Sequence, residues 1–313
     1  MEFLRFLEDL RTPALSSFLA AMTHAGDETV FMVVAVVTFW CISKRQGYFI
    51  FAVGLVGTAA NQWLKLIFRI PRPWILDPNL TIVEAARERA EGYSFPSGHT
   101  QNVVGTFGCI AVMNRRLRLR AVCFLLILLV PFSRMYLGVH TPLDVGTSFL
   151  IAAALIAVFF PCFRDERRFH ETALPVLGFA LAFILCYTLW ACTASFPADV
   201  DTANLEAGIK NGWSLSGCAL GLLISYLCDA RLLHYDERAP LPGQICKVVL
   251  GLALLLSLRA GLKTLLFSVT GGAVWSNVIR YFIMVVFAGC LWPGTFPYFA
   301  HLGAGHESTK KKN

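Results

Sequence analysis

Charge is scarce in this chain. Lys, Arg, Asp and Glu make up only 15% of its 313 residues, against 56% hydrophobic residues and a mean hydropathy of +0.61. Soluble domains carry about 25% charged residues, so an ordinary water-soluble globular protein is excluded. Intrinsic disorder is excluded as well, except for the polar end His306–Asn313. The sequence also lacks CxxC pairs and any Cys/His spacing suited to a metal. Its ten cysteines lie in or beside apolar runs, where Cys behaves as a small hydrophobe. No disulfide framework, metal site or cofactor is therefore expected. The N-terminus has acids at Glu2, Glu8 and Asp9 and lacks a basic segment and a cleavage site, so it does not read as a signal peptide. The net charge of +7 is carried by short loops between apolar runs. That distribution argues against nucleic acid as a partner.

What the chain does have is nine apolar runs, at about 28–43, 47–68, 98–113, 119–137, 143–161, 172–194, 208–228, 243–267 and 275–294. A membrane-spanning helix needs about 20 such residues. The expected fold class is therefore all-α, a polytopic membrane bundle of about nine spans, with the first and third runs short. Residues 2–22 alternate Phe3, Leu4, Phe6 and Leu7 with Arg5, Glu8, Asp9 and Arg11, which predicts an amphipathic helix lying in the interface. Basic loops favour the cytoplasmic side. Lys44 and Arg45, Arg115 to Arg120, Arg164 to Arg168, Arg231, Arg238 and Lys310–Lys312 all fall on one side, while loop 195–207 holds Asp199, Asp201 and Glu206 without a Lys or Arg. This places the N-terminus outside and the C-terminus inside.

Three segments carry the chemistry: Lys65 to Arg72-Pro73, Tyr93 to Pro96-Ser97-Gly98-His99, and Ser133-Arg134 to His140 and Asp144. Span two ends, span three starts, span four ends and span five starts on one face, so all three converge there, on the acidic, extracytoplasmic side. The residue types suit a phosphoryl group. Arg binds phosphate oxygens through a planar fork, and Lys acts as a point charge. Lys65, Arg72 and Arg134 would neutralise a phosphate dianion and its transition state. Ser97 and Gly98 open a helix, where free N–H groups attract anions, and Gly98 lets the backbone approach closely. One histidine can attack phosphorus while the other protonates the leaving oxygen. His140 and Asp144 are four apart and share a helical face. A carboxylate holding one ring nitrogen of His140 would present the other as nucleophile. His99 has no such partner nearby in sequence and is the better candidate acid.

This ordered set, Lys-x6-Arg-Pro, Pro-Ser-Gly-His and Ser-Arg-x5-His-x3-Asp, resembles the type 2 phosphatidic acid phosphatase family, which is related to vanadium-dependent haloperoxidases. The resemblance implies a metal-independent, vanadate-sensitive phosphatase with a phosphohistidine intermediate. It makes His140 the nucleophile, His99 the general acid and Asp144 the residue orienting His140. Lys65, Arg72, Ser97, Gly98 and Arg134 would bind the phosphate. The family's six-helix core would cover 28–194, after an interfacial segment 1–27 and before a three-span extension 195–305 and a basic tail 306–313. The order of the extra spans looks like the sphingosine-1-phosphate phosphatase branch, although that branch often has Thr where this chain has Gly98. Bacterial lipid and polyprenyl-diphosphate phosphatases fit the Gly form equally well.

The expected partners are membrane lipids and a lipid phosphate substrate, at the bacterial plasma membrane with the site outside or at an endoplasmic reticulum with the site in the lumen. The latter would suit the dilysine-like end Lys310–Lys312. A lipid phosphotransferase using the same intermediate and a non-enzymatic lipid-phosphate binder are the alternatives. Thr141-Pro142-Leu143-Asp144 reads equally as a capped helix start. Arg69 reads as a helix-end residue or a headgroup contact, and His24 as structural. Lys210, Arg259, Lys263 and Arg280 fall in the outer half of the membrane, against the positive-inside trend. Either they snorkel to the headgroups or they line a second cavity for a substrate headgroup.

Overall fold

The computed structural model describes residues 1–90, 92–198 and 200–302, which form helices and loops with no strand among them. Two short helices open the chain, α1 (Glu2–Asp9) and α2 (Pro13–Met22). The apolar runs follow as α3 (Glu28–Cys41), α4 (Lys44–Phe68), α6 (Gly98–Met113), α7 (Leu117–Tyr136), α8 (Pro142–Phe163), α9 (Glu166–Thr193), α10 (Thr202–Cys228), α11 (Leu241–Thr270) and α12 (Ser276–Val286), with the single turn α5 (Pro73–Leu76) after α4 and α13 (Phe296–Ala300) at the end. Seven helical segments are long and apolar enough to cross a membrane, and the bent pair Pro13–Gly26 and Glu28–Cys41 makes an eighth when taken together. The 16-residue α6 is shorter than a full crossing of about 20 residues. It and α3 are the two runs expected to be short. The chain is an integral membrane helical bundle.

Helix α4 is the hub and packs against α3, α6, α8, α9 and α10. Its Gly47 and Gly54 lie flat against the rings of Phe39 and Phe31. In the C-terminal part α10 plays a similar role through four glycines. Gly208 meets Leu66, Gly212 meets Thr188, and Gly217 and Gly221 face α12. Small residues four apart let helix backbones approach closely in a membrane. Consecutive helices run antiparallel, so α4 ends at the same end of the bundle where α6 and α8 begin.

The structure departs from the sequence reading in two places. Where the pattern predicts one helix over 2–22, Thr12 caps a new helix by accepting the Leu15 N–H at 3.3 Å, with Pro13 in its first turn. Proline lacks the N–H that a continuing helix would need there. The polar residues of α1 bind loops of the protein: Arg5 donates to Asp77 at 2.6 Å, and Glu8 accepts the Thr81 N–H at 3.0 Å. Leu4, Leu7 and Leu19 are buried. The second departure is a disulfide between Cys228 and Cys290, which links the end of α10 to the π-helical turn after α12. The tail reading for 306–313, including Lys310–Lys312, lies outside the described residues.

The contact of α10 with α12 is backbone on backbone. A Cβ on Gly217 would stand 2.3 Å from the Val278 carbonyl oxygen, and a main-chain atom cannot swing aside. Overpacking of this kind typically costs about 1–3 kcal/mol. Gly217→Val is expected to lower the unfolding midpoint in detergent by several degrees, while Gly178→Val, where a Cβ meets nothing within 4 Å, leaves it within error.

Candidate active site

The site is built from helix starts and the loops that feed them. Thr141 caps α8 with Pro142 behind it, and a full capping box forms. Asp144 N–H donates to Thr141 Oγ1 at 3.3 Å, and Thr141 N–H donates to Asp144 Oδ2 at 2.7 Å. The same Oδ2 accepts the Ser94 hydroxyl at 2.6 Å and lies 3.4 Å from His140 Nδ1. Asp144 therefore serves both as a cap and as a partner of His140. The other ring nitrogen, Nε2, lies 3.0 Å from Arg72 Nη1. A guanidinium only donates, so Nε2 accepts and Nδ1 carries the proton towards Asp144. The tautomer is assigned by this network.

Main-chain carbonyls hold Arg72 and Lys65, and a threonine hydroxyl meets Arg134. Arg72 Nε donates to Gly92 at 2.9 Å, and its Nη1 donates to Val139 at 3.1 Å. Lys65 donates to the Tyr93 carbonyl. Arg134 is completely buried and donates from Nη1 to Thr23 Oγ1 at 3.0 Å. The chain turns back after it, so that Val139 and His140 donate to the Arg134 carbonyl at 3.1 and 3.3 Å. Gly138 makes that turn at φ +82°, and a Cβ there would press on Arg11 and on the Thr81 carbonyl.

Ser97 caps α6, and its hydroxyl accepts the Thr100 N–H at 3.4 Å. Its own N–H donates to the Asp144 carbonyl at 3.1 Å, tying the second segment to the third. A Cβ on Gly98 would meet nothing beyond its chain neighbours and its own helix within 4 Å, so the space beside this helix start is free. Every predicted residue from Lys65 to Asp144 thus belongs to one cluster. Arg69 ends α4 in the left-handed region at φ 50° and donates back to Leu66 at 3.3 Å, a helix-end role. Arg259, Lys263 and Arg280 lie apart from the cluster, around a cavity between α3, α4 and α10 to α12. Among the described residues no three His, Cys, Asp or Glu side chains stand together as a metal site.

His99 has a partner that its sequence neighbourhood does not suggest. Asp27 Oδ1 lies 3.0 Å from His99 Nε2, and the other oxygen lies 3.1 Å from His24 Nδ1. Asp27 precedes α3 and is brought in by the segment Thr23–Gly26. Gly26 is needed for this approach, since a Cβ there would stand 2.9 Å from the His99 carbonyl oxygen. With Asp27 accepting from Nε2–H, Nδ1 is the His99 nitrogen left for a ligand.

The fold and the site together define the class: an integral membrane helical bundle that gathers buried cations and two histidines at one end. Residues 45–168 match the PAP2 superfamily, and residues 213–303 match the PAP2 superfamily phosphatase transmembrane extension. Together these matches cover more than half of the chain, which belongs to the PAP2 superfamily. It is 26% identical over 257 residues to the probable sphingosine-1-phosphate phosphatase of Dictyostelium discoideum, covering 76% of this chain and 58% of that protein. It is 30% identical over 126 residues to undecaprenyl-diphosphatase BcrC of Bacillus subtilis, covering 40% of this chain and 62% of that protein. Sphingosine-1-phosphate phosphatase 2 of Mus musculus is 26% identical over 211 residues, 64% of this chain and 56% of that protein. The chain thus spans a little under two thirds of the length of the curated relatives it matches. No solved structure matches it.

His140 lies in the loop between α7 and α8. Burial pushes its pKa well below the usual imidazole value, and Arg72, Arg134 and Lys65 push it further the same way. The folded protein therefore holds the ring neutral, whereas the unfolded chain takes up a proton near pH 6.5. Below that pH the unfolded state binds more protons, so stability falls as pH falls. The unfolding midpoint should drop more steeply between about pH 7 and 5 in the wild type than in His140→Gln. Parallel curves would show that His140 is not held neutral.

Proposed function

We propose that the chain is a metal-independent membrane phosphatase that hydrolyses a lipid phosphate or diphosphate at the extracytoplasmic face through a phosphohistidine intermediate. The observation that carries this reading is His140 held between Asp144 and Arg72, with the Nε2 lone pair turned towards the cations. In the first step Nε2 of His140 bonds to phosphorus as the bond to the leaving oxygen breaks, and His99, which enters as the imidazolium with Nε2–H on Asp27, gives that oxygen its Nδ1 proton. In the second, water attacks the phosphohistidine and loses a proton to His99. The P–N bond breaks, its electron pair returns to Nε2, and inorganic phosphate leaves. Lys65, Arg72, Arg134 and the N–H groups at the start of α6 bear the charge on the phosphoryl oxygens in both steps. Asp144 keeps the proton on Nδ1 and stabilises the ring while it carries phosphate.

The lipid class is supported by the relatives, whose names state sphingosine 1-phosphate and undecaprenyl diphosphate as substrates, and by a site placed at one end of a membrane bundle. The outward orientation is supported by the Lys and Arg loops at the opposite end. Residues 28–194 are taken as the catalytic unit and 195–305 as an extension of it. A bacterial plasma membrane is the preferred location, with a lumenal site in the endoplasmic reticulum as the alternative.

The test is phosphate release by the full chain in detergent with EDTA present, from phosphatidic acid, phosphatidylglycerol phosphate, sphingosine 1-phosphate, a polyprenyl diphosphate and glucose 6-phosphate. Release should survive EDTA, stop with orthovanadate and be abolished in His140→Ala. Arg72→Gln or Arg134→Gln should lower kcat by about 10²–10³, as expected for one lost donor to a developing charge. Release that persists in His140→Ala or disappears with EDTA rules the mechanism out, and labelled phosphate recovered in lipid would indicate a transferase.

Asp27 is a positioning residue for His99. Asp27→Asn should lower kcat on a lipid phosphate by less than the roughly 10²–10⁴-fold expected for removing a general acid itself. In the first half-reaction, read as the pre-steady-state burst, the loss should nearly vanish with p-nitrophenyl phosphate, whose leaving group needs no proton. An equal loss on both substrates would mean that Asp27 only supports the fold.

A further inference from the structure

Four cations stand outside the candidate active site, on three helices of the C-terminal part: Lys210 on α10, Arg259 and Lys263 on α11, and Arg280 on α12. All lie towards the end of the bundle that holds the catalytic cluster, because α10 and α12 start there and α11 ends there. They line one cavity of about 460 Å³, whose opposite wall is Glu28 of α3 with Thr58 and Gln62 of α4. The spacing shows that whole helix faces are turned to it. Leu256, Arg259, Ala260 and Lys263 line it from α11, and Lys210, Ser214 and Cys218 line it from α10. Snorkelling cations each reach for the nearest headgroup region, whereas these come from three helices into one opening.

The electrostatics ask for an anion. Glu28 is the one acid in the lining, and none of the four cations forms a salt bridge with a described residue. The Nε of Arg280 is buried without a hydrogen-bond partner among the described residues, and its guanidinium lies 4.8 Å from the centre of the Tyr281 ring. Basic groups at membrane depth are costly unless something compensates them. Next to the cavity lies a small pocket of about 40 Å³ that shares Cys218 and Tyr281 with it. This second pocket is lined by Met32, Leu222, Leu255 and Met284, each about one turn further into the bundle than Glu28, Cys218, Arg259 and Arg280. A cationic chamber at the membrane boundary thus sits over an apolar slot.

The geometry points to a second binding site, between the superfamily's common helices and the extension, for an amphiphile with a phosphate headgroup. The head lies among Arg259, Lys263, Arg280 and Lys210, and the chain leaves along α10 and α12. This site does not depend on the hydrolytic reading, because it binds through residues that take no part in the reaction.

The full chain in phosphatidylcholine nanodiscs, titrated with non-hydrolysable hexadecylphosphonate and read by native mass spectrometry, tests it. Two molecules should bind per wild-type chain. Arg259→Gln/Lys263→Gln should retain one and weaken the other by about ten- to hundredfold, as expected for losing hydrogen bonds to a charged group. Arg72→Gln should weaken the remaining one instead. Arg118→Gln/Arg120→Gln, an equal loss of charge at the other end of the bundle, should change neither, and unfolding midpoints in all variants check folding. A parallel titration with inorganic phosphate separates the sources. Occupancy by phosphonate alone assigns a lipid headgroup, and equal occupancy by free phosphate assigns the ion and overturns the amphiphile. A single bound phosphonate in the wild type that Arg259→Gln/Lys263→Gln leaves at unchanged affinity, or two in that variant at unchanged affinity, also overturns the proposal.

Discussion

Arg72, Arg134 and Lys65 are held together at one end of the bundle, where Arg134 is completely buried and Arg72 nearly so. Taking a cation out of water costs several kcal/mol unless acceptors replace the lost hydration. The local backbone follows from that requirement. The loop after α4 carries the Gly92 and Tyr93 carbonyls to Arg72 and Lys65. The turn after Arg134 folds back so that Val139 accepts from Arg72 while its own N–H bonds the Arg134 carbonyl. Gly138 sits at the one point of that turn where a positive φ and close neighbours leave no room for a side chain. Once the cations are placed, His140 has little freedom. Arg72 takes one ring nitrogen and Asp144 stands beside the other.

The same carboxylate joins the remaining pieces. Asp144 completes the capping box of α8, accepts from Ser94 and faces His140, and its main-chain carbonyl receives the Ser97 N–H. A cap is normally worth about 0.5–2 kcal/mol to its helix. Here it also fixes the angle between the starts of α6 and α8, the two helix ends over which a phosphoryl group would sit. The helix-start reading of Thr141 to Asp144 therefore holds, and the same cap leaves the carboxylate beside His140, where the proposed orienting role needs it.

What could be read from the sequence follows the range of the interactions. Periodicity and run length, both local, place a helix on each of the nine apolar runs and identify α3 and α6 as short, but not the early end of α12 at Val286. The three segments are legible because each is compact, and alternating spans bring them to one end whatever the details of packing. Asp27 and Thr23 are not legible. Their partners His99 and Arg134 are 72 and 111 residues away, and a polar residue just before an apolar run has the same local pattern whether it faces water or a histidine. The disulfide spans 62 residues and fails for the same reason. The break between α1 and α2 was written locally, in Thr12-Pro13, but the apolar alternation over 2–22 pointed the other way, and the missing N–H of proline decided it.

Helix α4 connects the catalytic cluster to the C-terminal cavity. Thr58, Gln62 and Lys65 are spaced four and three apart, so they form one stripe along α4. The first two line the C-terminal cavity, and the third belongs to the catalytic cluster. On the neighbouring helix the same relation is compressed into two residues, since Asp27 faces His99 and Glu28 faces the cavity. This shared wall requires the extension to lie close against the hub. The glycines of α10 permit that, with Gly208 against Leu66 on α4 and Gly212 against Thr188 on α9. A bulkier α10 would hold α11 and α12 away and open the cavity to lipid. The small residues of the extension are therefore part of what places its cations one helix stripe from Lys65.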